Sequence, residues 1–494
     1  MNYVSTRGID NKGVSSAYAI KTGLASDGGL YMPESIPTLT NAEITSLSDM
    51  PYTERCATIL SKFLTDYTYD ELLEDAKGAY SEAKFGSSPA PLTDLGDGTY
   101  MLELWHGPTS AFKDMALQIM PRLFVRALRK CDEHRCAMIL VATSGDTGKA
   151  ALEGYRDVPG TKIKVFYPTG GVSEVQKLQM QTQEGENVSV SGIVGNFDDA
   201  QTGVKRIFAD PVMREKLNAE GVFLSSANSI NWGRLVPQIV YYVSAYCDLL
   251  KTGKITLGEA IDVCVPTGNF GNIFAAYIAK LMGLPIGKLV CASNKNNVLT
   301  DFLNTGVYDR NREFYTTMSP SMDILISSNL ERLLYVTLGA EKTRGYMTEL
   351  TENGRYALKE CDLALIKENF VGYYTNEDEC QRTVKAIWEK KNCLIDTHTA
   401  VAIHATECYM NDFKAERKVV VASTASAYKF ARDVYTSLTE RDPDGDLEAL
   451  EALNRLTGID IPTPLSSILT KSARHTGVID ACEMEDATLA FARD

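Results

Sequence analysis

No two cysteines of this 494-residue chain stand in a CxxC arrangement, and their number, eleven, is odd. Both observations argue against a disulfide framework and against zinc held by paired cysteines. The five histidines form no HExxH motif, so no metal site is predicted. Cysteines in apolar runs, such as Cys264 and Cys291, are typical of buried free thiols. Because the N-terminus also lacks the apolar run of a signal peptide, we expect a cytoplasmic protein.

The chain lacks blocks of like charge and long apolar segments as well. Its 64 acidic and 50 basic residues give a net charge of -14, which works against binding to nucleic acid or to anionic membranes. The uncharged run from Val263 to Ala279 is interrupted by Pro266, Gly268 and Gly271, which indicates a strand, a loop and a helix rather than a membrane span. With 44% apolar and 23% charged residues, the composition is that of a globular protein of about two to four domains.

Strands and helices alternate along most of the chain. Residues 1 to about 90 follow mainly helical patterns, and beyond them short β-rich runs are each followed by a helical pattern. These runs lie at 138–143, 162–168, 261–266, 288–294 and 418–422. The alternation predicts an α/β architecture with parallel sheets covered by helices on both faces, in which ligands bind at the carboxyl ends of the strands. Residues 297–412 are predicted to be helical, and the segment from Thr436 to be acidic and rich in loops.

The run GNFGN at 268–272 follows one predicted strand and opens a helix. Gly268 and Gly271 allow the backbone to direct its N–H groups toward one point, and the helix N-terminus adds positive potential, so the loop is suited to a phosphate. The glycine spacing differs from the GxGxxG of dinucleotide-binding proteins. A tight turn without a ligand is the alternative interpretation.

The run TSGDTGK at 143–149 follows another predicted strand and has the outline of a nucleotide-binding P-loop. However, Thr143 stands where the first glycine belongs, and Ala150 replaces the Ser or Thr that would hold magnesium. Nucleotide binding is therefore not expected. A turn so rich in hydroxyl groups at a helix start is suited to a carboxylate, and helix capping is the alternative role for these side chains.

Lys113 lies in the run WHGPTSAFKD at 105–114, where turn-forming residues precede an apolar-periodic helical pattern. We expect Lys113 in or near the first turn of that helix, where the helix dipole and the unpaired N–H groups disfavour a cation and lower its pKa. A lysine that is partly unprotonated can form a Schiff base with a carbonyl compound. The alternative is an ordinary solvated lysine.

Four separated runs resemble threonine synthases, a family of pyridoxal-phosphate-dependent enzymes, and they occur in the order that this family has them. They are MNYVSTRG at 1–8, GPTSAFKDMALQ at 107–118, TSGDTGKAA at 143–151 and PTGNFGN at 266–272. The resemblance implies two doubly wound parallel-sheet lobes of the tryptophan synthase β-like kind, known as fold-type II, with a helical N-terminal domain. We place an accessory domain at 1–95, the large cofactor domain at 96–130 and 232–494, and a smaller α/β domain at 131–231.

The resemblance also implies roles for particular residues. Lys113 would carry pyridoxal 5'-phosphate as a Schiff base, and Thr424 would face the pyridine nitrogen. The cofactor phosphate would be held by Gly268, Asn269, Phe270, Gly271 and Asn272. Thr143, Ser144, Asp146 and Thr147 would contact the substrate carboxylate and the cofactor ring, and Ser229, Asn231 and Arg234 would bind a phosphate of the substrate. From its position before a predicted helix, Ser229 is also a plausible N-cap. Lys177 is a weaker candidate for that phosphate, and His398 is interpreted as a structural histidine.

The activity implied is the last step of threonine biosynthesis, in which O-phospho-L-homoserine and water give L-threonine and phosphate by γ-elimination and β-addition. One segment departs from the family pattern, because Ser426, Ala427 and Tyr428 replace a His-Pro-Ala run. A phospho-lyase or β-replacement enzyme acting on another hydroxy or phosphohydroxy amino acid therefore stays open. A catalytically silent phosphate-ligand-binding protein is a third possibility. We expect a monomer or homodimer that binds neither nucleic acid nor membranes.

Overall fold

The N-terminal part of the chain is mostly helical. A computed structural model of the protein describes residues 1–9, 12–143, 145–170, 172–414 and 416–494. The first elements are β1 (Tyr3–Ser5), α1 (Ser16–Thr22), β2 (Tyr31–Pro33), α2 (Asn41–Asp49), α3 (Tyr52–Phe63), α4 (Tyr69–Ala79) and α5 (Glu82–Phe85). β1 and β2 pair in an antiparallel ribbon. α2 and α4 begin at capping boxes, in which Thr40 and Thr68 exchange hydrogen bonds with Glu43 and Glu71.

The middle of the chain alternates strands with helices, as the sequence predicts. Its elements are β3 (Leu92–Gly96), β4 (Thr99–Glu103), α6 (Lys113–Leu117), α7 (Met120–Lys130), β5 (Cys136–Ala142), α8 (Asp146–Tyr155), β6 (Thr161–Pro168), α9 (Glu174–Gln181), β7 (Val188–Val194), α10 (Phe197–Ala209), α11 (Pro211–Ala219), β8 (Val222–Ser225) and α12 (Trp232–Lys251). Every residue of α12 from Trp232 to Cys247 is buried, which makes this helix a central packing element.

The remaining elements complete the larger sheet and its helical cover. They are β9 (Ile261–Pro266), α13 (Gly271–Leu281), β10 (Ile286–Ser293), α14 (Val298–Thr305), β11 (Val307–Asp309), α15 (Leu330–Leu338), α16 (Ala340–Asn353), β12 (Arg355–Ala357), α17 (Glu360–Lys367), β13 (Phe370–Tyr374), α18 (Glu377–Lys391), α19 (Thr397–Phe413), β14 (Val419–Ser423), α20 (Ala431–Thr439), α21 (Asp446–Thr457), α22 (Thr463–Ser466), β15 (Val478–Asp480) and α23 (Met484–Arg493). Single 3₁₀ turns span Pro320–Met322, Ala427–Phe430, Ser467–Leu469 and Ala481–Glu483.

Two twisted sheets carry the fold. The larger has the strand order β13-β10-β9-β14-β4-β3, in which all neighbours run parallel except β3, which is antiparallel to β4. The smaller has the order β15-β7-β6-β5-β8 and is parallel throughout. All residues of β9 and β14 are buried, because helices such as α13 and α19 pack against the larger sheet. The predicted α/β class with two parallel sheets is confirmed.

Several elements were not predicted from the sequence. β13 lies inside 297–412, which was predicted to be helical, and it forms the edge of the larger sheet beside β10. The segment from Thr436 was predicted to be loop-rich, yet it forms α21 and α23. The prediction for α21 relied on its acidic composition and overlooked the helical spacing of its apolar residues. Three of these, Ala449, Leu450 and Leu453, are buried. None of the described helices combines the length and the apolar character that a membrane crossing requires.

The division of the chain into domains stays a proposal, with one correction. The sequence-based boundaries assign all of 232–494 to the larger lobe, whereas β15 pairs with β7 in the smaller sheet. α23 packs against α10 and α11 on the same side of the molecule. We therefore propose that the smaller lobe consists of 131–231 together with the C-terminal segment from about residue 478.

Candidate active site

The loop before α6 is fixed by the end of β14. The amide of Phe112 donates a hydrogen bond to the carbonyl of Thr424 at 2.8 Å, and Ala111 forms a bridge with Ala425. Ser110 adopts a left-handed backbone conformation, with φ of 57°, although it is not a glycine. Strain of this kind persists only where the surrounding structure holds it. The two segments together bring Lys113, the first residue of α6, beside the end of a central strand.

The Lys113 amine is buried in the protein and does not point into bulk solvent. Its side chain is 11% exposed. Nζ lies 3.3 Å from Oδ2 of Asp146 and 3.1 Å from Oγ of Ser321. Burial lowers the pKa of Lys113 below its ordinary value of 10.5; the Asp146 carboxylate opposes this effect, and the cations of Arg234 and Lys429 reinforce it. A buried amine with a lowered pKa is the kind of group that forms a Schiff base.

Asp146 is the centre of a buried charge cluster. Nζ of Lys429 lies 2.7 Å from Oδ1 of Asp146, and the Gln176 amide donates to the same oxygen at 2.9 Å. Burial by itself would raise the pKa of Asp146, but Lys429 and Lys113 together hold it well below its usual range. The carboxylate is therefore ionised and shared between two lysines.

Lys429 was not identified from the sequence. It is 1% exposed and also donates to the carbonyl of Thr109 at 3.2 Å and to Oε1 of Gln179 at 3.0 Å. The sequence does contain a pattern that could have indicated it, because Lys429 is the charged residue of the otherwise uncharged run VVVASTASAYKF. A lysine in such a run is buried only when a partner neutralises it, and here Asp146 does so.

The turn at 268–272 has the geometry of an anion site. Phe270 is left-handed, with φ of 60°, and is followed by the helical Gly271. Within the described part of the chain, the backbone N–H groups of residues 268–273 donate to no protein acceptor. A β-carbon on Gly268 would lie 2.8 Å from the carbonyl oxygen of Ser321, so only glycine allows this close approach. Unpaired amides at the start of α13 fit a phosphate that needs no charged side chain.

Asn269 and Asn272 contribute to this turn in different ways. The carbonyl of Asn269 accepts hydrogen bonds from the backbone and the side-chain amide of Asn329, both at 3.0 Å. The side-chain oxygen of Asn272 accepts the Tyr242 hydroxyl at 2.6 Å, while its amide nitrogen is buried and without a partner among the described residues. Asn329 was not identified from the sequence, and it joins the 268–272 turn to Ser229, whose hydroxyl it contacts at 3.3 Å.

The predicted site residues in the turn after β5 have different environments. The Thr143 hydroxyl accepts the amides of Gly145 and Gly148 at 3.0 and 2.9 Å, so it shapes the turn itself. Asp146 joins the charge cluster described above. Thr147 is half-buried in the first turn of α8. Ser144 lies outside the described residues.

The segment before α12 differs in one respect from the prediction. Ser229 was predicted to cap this helix, and that was wrong: Asn231 is the N-cap, and its side-chain oxygen accepts the amide of Gly233 at 2.8 Å. Its amide group donates to the carbonyl of Ile20 at 2.8 Å, so the side chain of Asn231 is committed to protein contacts. Ser229 lies in the preceding turn, half-buried.

Arg234 is 5% exposed and has spare hydrogen-bonding capacity. Its Nη1 donates to the carbonyl of Ala227 at 2.7 Å, whereas Nε has no partner within the described residues. No described carboxylate pairs with it, and burial lowers its pKa to about 10. A buried cation with an unpaired donor near Lys113 fits an anionic group supplied by a ligand.

The weaker candidates lie in the same neighbourhood. Lys177 is half-buried on α9, next to Gln176. His398 is buried and contacts Asp396, and it also accepts the amide of Ser321 at 3.1 Å. In the segment that departs from the family, Ser426 caps the 3₁₀ turn and the Tyr428 hydroxyl donates to the carbonyl of Ile459.

Comparison with known proteins agrees with this geometry. A family model described as Threonine synthase N terminus matches residues 2–80, and one described as Pyridoxal-phosphate dependent enzyme matches residues 87–425. The chain is 36% identical to the threonine synthase of Pseudomonas aeruginosa over 441 residues, which cover 88% of this chain and 90% of that protein. The crystal structure of PLP-bound threonine synthase from Brucella melitensis matches with a TM-score of 0.88, at 34% identity and with full coverage of both chains.

A longer relative also matches. Human threonine synthase-like 1 is 42% identical over 434 residues, which cover 85% of this chain and 57% of the human protein. The chain thus spans little more than half the length of that relative. Since the family model for the cofactor domain covers more than half of the chain, the chain belongs to the pyridoxal-phosphate-dependent enzymes and, among them, to the threonine synthase family.

Proposed function

We propose that the chain is a threonine synthase, a lyase that converts O-phospho-L-homoserine and water to L-threonine and phosphate. The observation that carries the proposal is the buried amine of Lys113, which has a lowered pKa and lies 3.1 Å from Ser321, the residue whose carbonyl packs against Gly268. A reactive amine and an amide-lined anion site thereby lie on neighbouring segments. This is the arrangement that pyridoxal phosphate requires, since it has one aldehyde and one phosphate.

The cofactor would be held by side chains and by backbone. Lys113 would bind its aldehyde, and the N–H groups of residues 268–272 would bind its phosphate. Thr424 is 6% exposed, and the described residues offer its hydroxyl no hydrogen-bond partner, which suits a contact with the pyridine nitrogen. When bound, pyridoxal phosphate supplies a ring that accepts negative charge from the α-carbon of an amino acid.

The protein side chains would bind the substrate and move its protons. Lys113, once free, is the base that takes the proton from Cα, because its amine is buried and has a lowered pKa. Arg234 would bind the substrate phosphate through its unpaired Nε, which stabilises the charge that grows as the carbon–oxygen bond breaks. Thr143, Asp146 and Thr147 line the neighbouring turn where the carboxylate of the substrate would lie.

A phospho-lyase acting on another phosphohydroxy amino acid is the second candidate. It is favoured by the segment Ser426–Tyr428, which differs from the family pattern and lies directly before Lys429. The two candidates differ in their products. A threonine synthase retains the amino group and adds water, whereas a phospho-lyase releases ammonia and leaves a ketone or keto acid.

The test is a phosphate-release assay on the purified protein with O-phosphohomoserine, together with detection of threonine. We expect one threonine for each phosphate, and an activity loss of roughly 10³-fold or more in Lys113→Ala. Borohydride reduction and peptide mapping should place the cofactor on Lys113. Ammonia in place of threonine would favour the phospho-lyase, and absence of any label on residue 113 would refute both.

We also propose a cytoplasmic protein that acts as a monomer or homodimer. The support for the compartment is chemical: Cys56, Cys247, Cys264, Cys291 and Cys380 are buried as free thiols, and such thiols persist in a reducing environment. Fractionation of the source cells and light scattering of the purified chain would test the two parts separately.

A further inference from the structure

The Lys113 amine makes two hydrogen bonds of the same kind. Nζ donates to Oγ of Ser321 at 3.1 Å and to Oδ2 of Asp146 at 3.3 Å, and Ser321 in turn donates to the same carboxylate oxygen at 3.3 Å. A neutral amine has two hydrogens and one lone pair. When both hydrogens are directed to these oxygens, the direction of the lone pair is fixed as well. Asp146 alone would leave the amine free to rotate about the remaining contact.

Ser321 is held in place by a buried histidine. Its backbone N–H donates to Nε2 of His398 at 3.1 Å, so Nε2 is the acceptor and the proton of the neutral ring is on Nδ1. Nδ1 lies 2.8 Å from Oδ2 of Asp396, to which it donates. His398 is 2% exposed and Asp396 is fully buried, and the carboxylate also accepts the amides of His398 and Thr399. The imidazole is therefore fixed in one tautomer and one orientation.

The backbone around Ser321 is anchored from the same helix and from α18. Thr397, next to His398, donates its hydroxyl to the carbonyl of Met318 at 2.6 Å, and Glu377 accepts the amide of Met318 at 2.9 Å. On the other side, the carbonyl of Ser321 packs against Gly268. The position of the Ser321 hydroxyl is thus determined by α19 and by the 268–272 turn together.

We propose that Ser321 is a further catalytic residue, whose hydroxyl orients the lone pair of the Lys113 amine, and that His398 and Asp396 are positioning residues that hold Ser321. This inference rests on the proposed function, because it concerns the amine that would bind pyridoxal phosphate. It assigns a task to a histidine that the sequence indicated only as structural, and to a serine that the sequence did not indicate.

The first experiment measures how fast the amine reacts. Holoenzyme is stripped of its cofactor, pyridoxal phosphate is added back, and the visible absorbance of covalent attachment is followed with time. We expect Ser321→Ala to slow attachment roughly 10- to 100-fold, since misorientation of a reacting group costs that much. Ser321→Thr keeps a hydroxyl and should recover most of the rate. For O-phosphohomoserine, kcat should fall in Ser321→Ala while KM stays within about twofold, because Ser321 orients the base and does not bind the phosphate.

The second experiment separates positioning from general stability. His398→Gln keeps an acceptor near the position of Nε2, whereas His398→Leu has none. We expect His398→Leu to slow attachment roughly tenfold and to increase amide hydrogen exchange at Ser321, and we expect His398→Gln to restore both in part. His404→Leu is the matched control: His404 lies on the same helix and contacts Thr375 at 3.1 Å, so the loss of a hydrogen-bonded histidine is reproduced away from Ser321.

The outcomes distinguish the two proposals. If the wild type does not attach pyridoxal phosphate at Lys113, the proposed function fails. If the wild type attaches it and Ser321→Ala attaches it equally fast, Ser321 has no orienting role and the inference is overturned. If His404→Leu slows attachment as much as His398→Leu does, the His398 contact is merely structural and its positioning role is overturned.

Discussion

The turns after β5 and β9 both join a parallel strand to a helix, but they prepare for a ligand in opposite ways. The turn after β5 presents a carboxylate, Asp146, that two buried lysines neutralise. The turn after β9 presents backbone N–H groups and no charged side chain in residues 268–272. The first arrangement changes the pKa of its neighbours, whereas the second is suited to bind an anion without adding a charged side chain to the site.

The two turns need different structural support. A buried carboxylate must be paired, and Asp146 therefore requires Lys429, Gln176 and Lys113, which come from three other helical segments. Unpaired amides require only a backbone path, which Phe270 in its left-handed conformation and Gly268 supply. The turn after β5, here called the charged turn, should therefore lose stability when a partner of Asp146 is removed. The turn after β9, here called the amide turn, should be disturbed by a larger side chain.

The largest effect is expected when the carboxylate of the charged turn is removed. Asp146→Asn leaves Lys113 and Lys429 buried without a counter-ion, and loss of one partner from a buried pair costs about 3–5 kcal/mol. Because the lysines hold the pKa of Asp146 well below its usual range, this stabilisation is complete above about pH 4 and is lost only at lower pH. Urea unfolding between about pH 6 and 8 should show a lower midpoint that does not change with pH.

Asp198→Asn provides the control for that experiment. Asp198 is an exposed carboxylate in the first turn of α10, so its replacement should change the free energy of unfolding by less than about 0.5 kcal/mol. An Asp146→Asn protein as stable as this control would contradict the view that the two lysines depend on the carboxylate.

A smaller effect is expected in the amide turn. In Gly268→Ala the new β-carbon would lie 2.8 Å from the Ser321 carbonyl and 3.3 Å from Cα of Met322, so the turn must shift. Overpacking of this kind costs about 1–3 kcal/mol, which corresponds to a roughly 5- to 150-fold weaker affinity for pyridoxal phosphate. Equilibrium titration of the apoprotein would measure it. In Gly345→Ala, where nothing lies within 4 Å of the new carbon, the affinity should not change.

The features that could be predicted from the sequence are those that depend on short runs of neighbouring residues. Both turns, the start of α6 at Lys113 and the alternation of strands and helices follow from local patterns of glycines, hydroxyl groups and apolar residues. These features need no knowledge of how distant segments pack.

The residues that sequence reasoning missed act through tertiary contacts. Lys429 lies 283 positions from Asp146 in the chain, and Ser321 lies 208 positions from Lys113, so no local pattern joins either pair. Similarly, Ser229 and Asn231 are both suitable caps, and the choice of Asn231 depends on a contact with Ile20 in the N-terminal region. Propensity fixes which residue types are allowed, and packing decides between them.

The last and smallest effect concerns the pH at which the Lys113 amine becomes reactive. Attachment of pyridoxal phosphate should accelerate with rising pH, with a midpoint below the ordinary lysine value of 10.5, because burial lowers the pKa of Lys113. The Asp146 carboxylate favours the charged form, so Asp146→Asn should move the midpoint to still lower pH. Gly268→Ala alters no charge and should leave the midpoint where the wild type has it, even though its affinity is weaker. Rates of attachment measured across the same pH series in all three proteins would test this, and an equal shift in both variants would remove the distinction between a turn that tunes a pKa and a turn that only binds an anion.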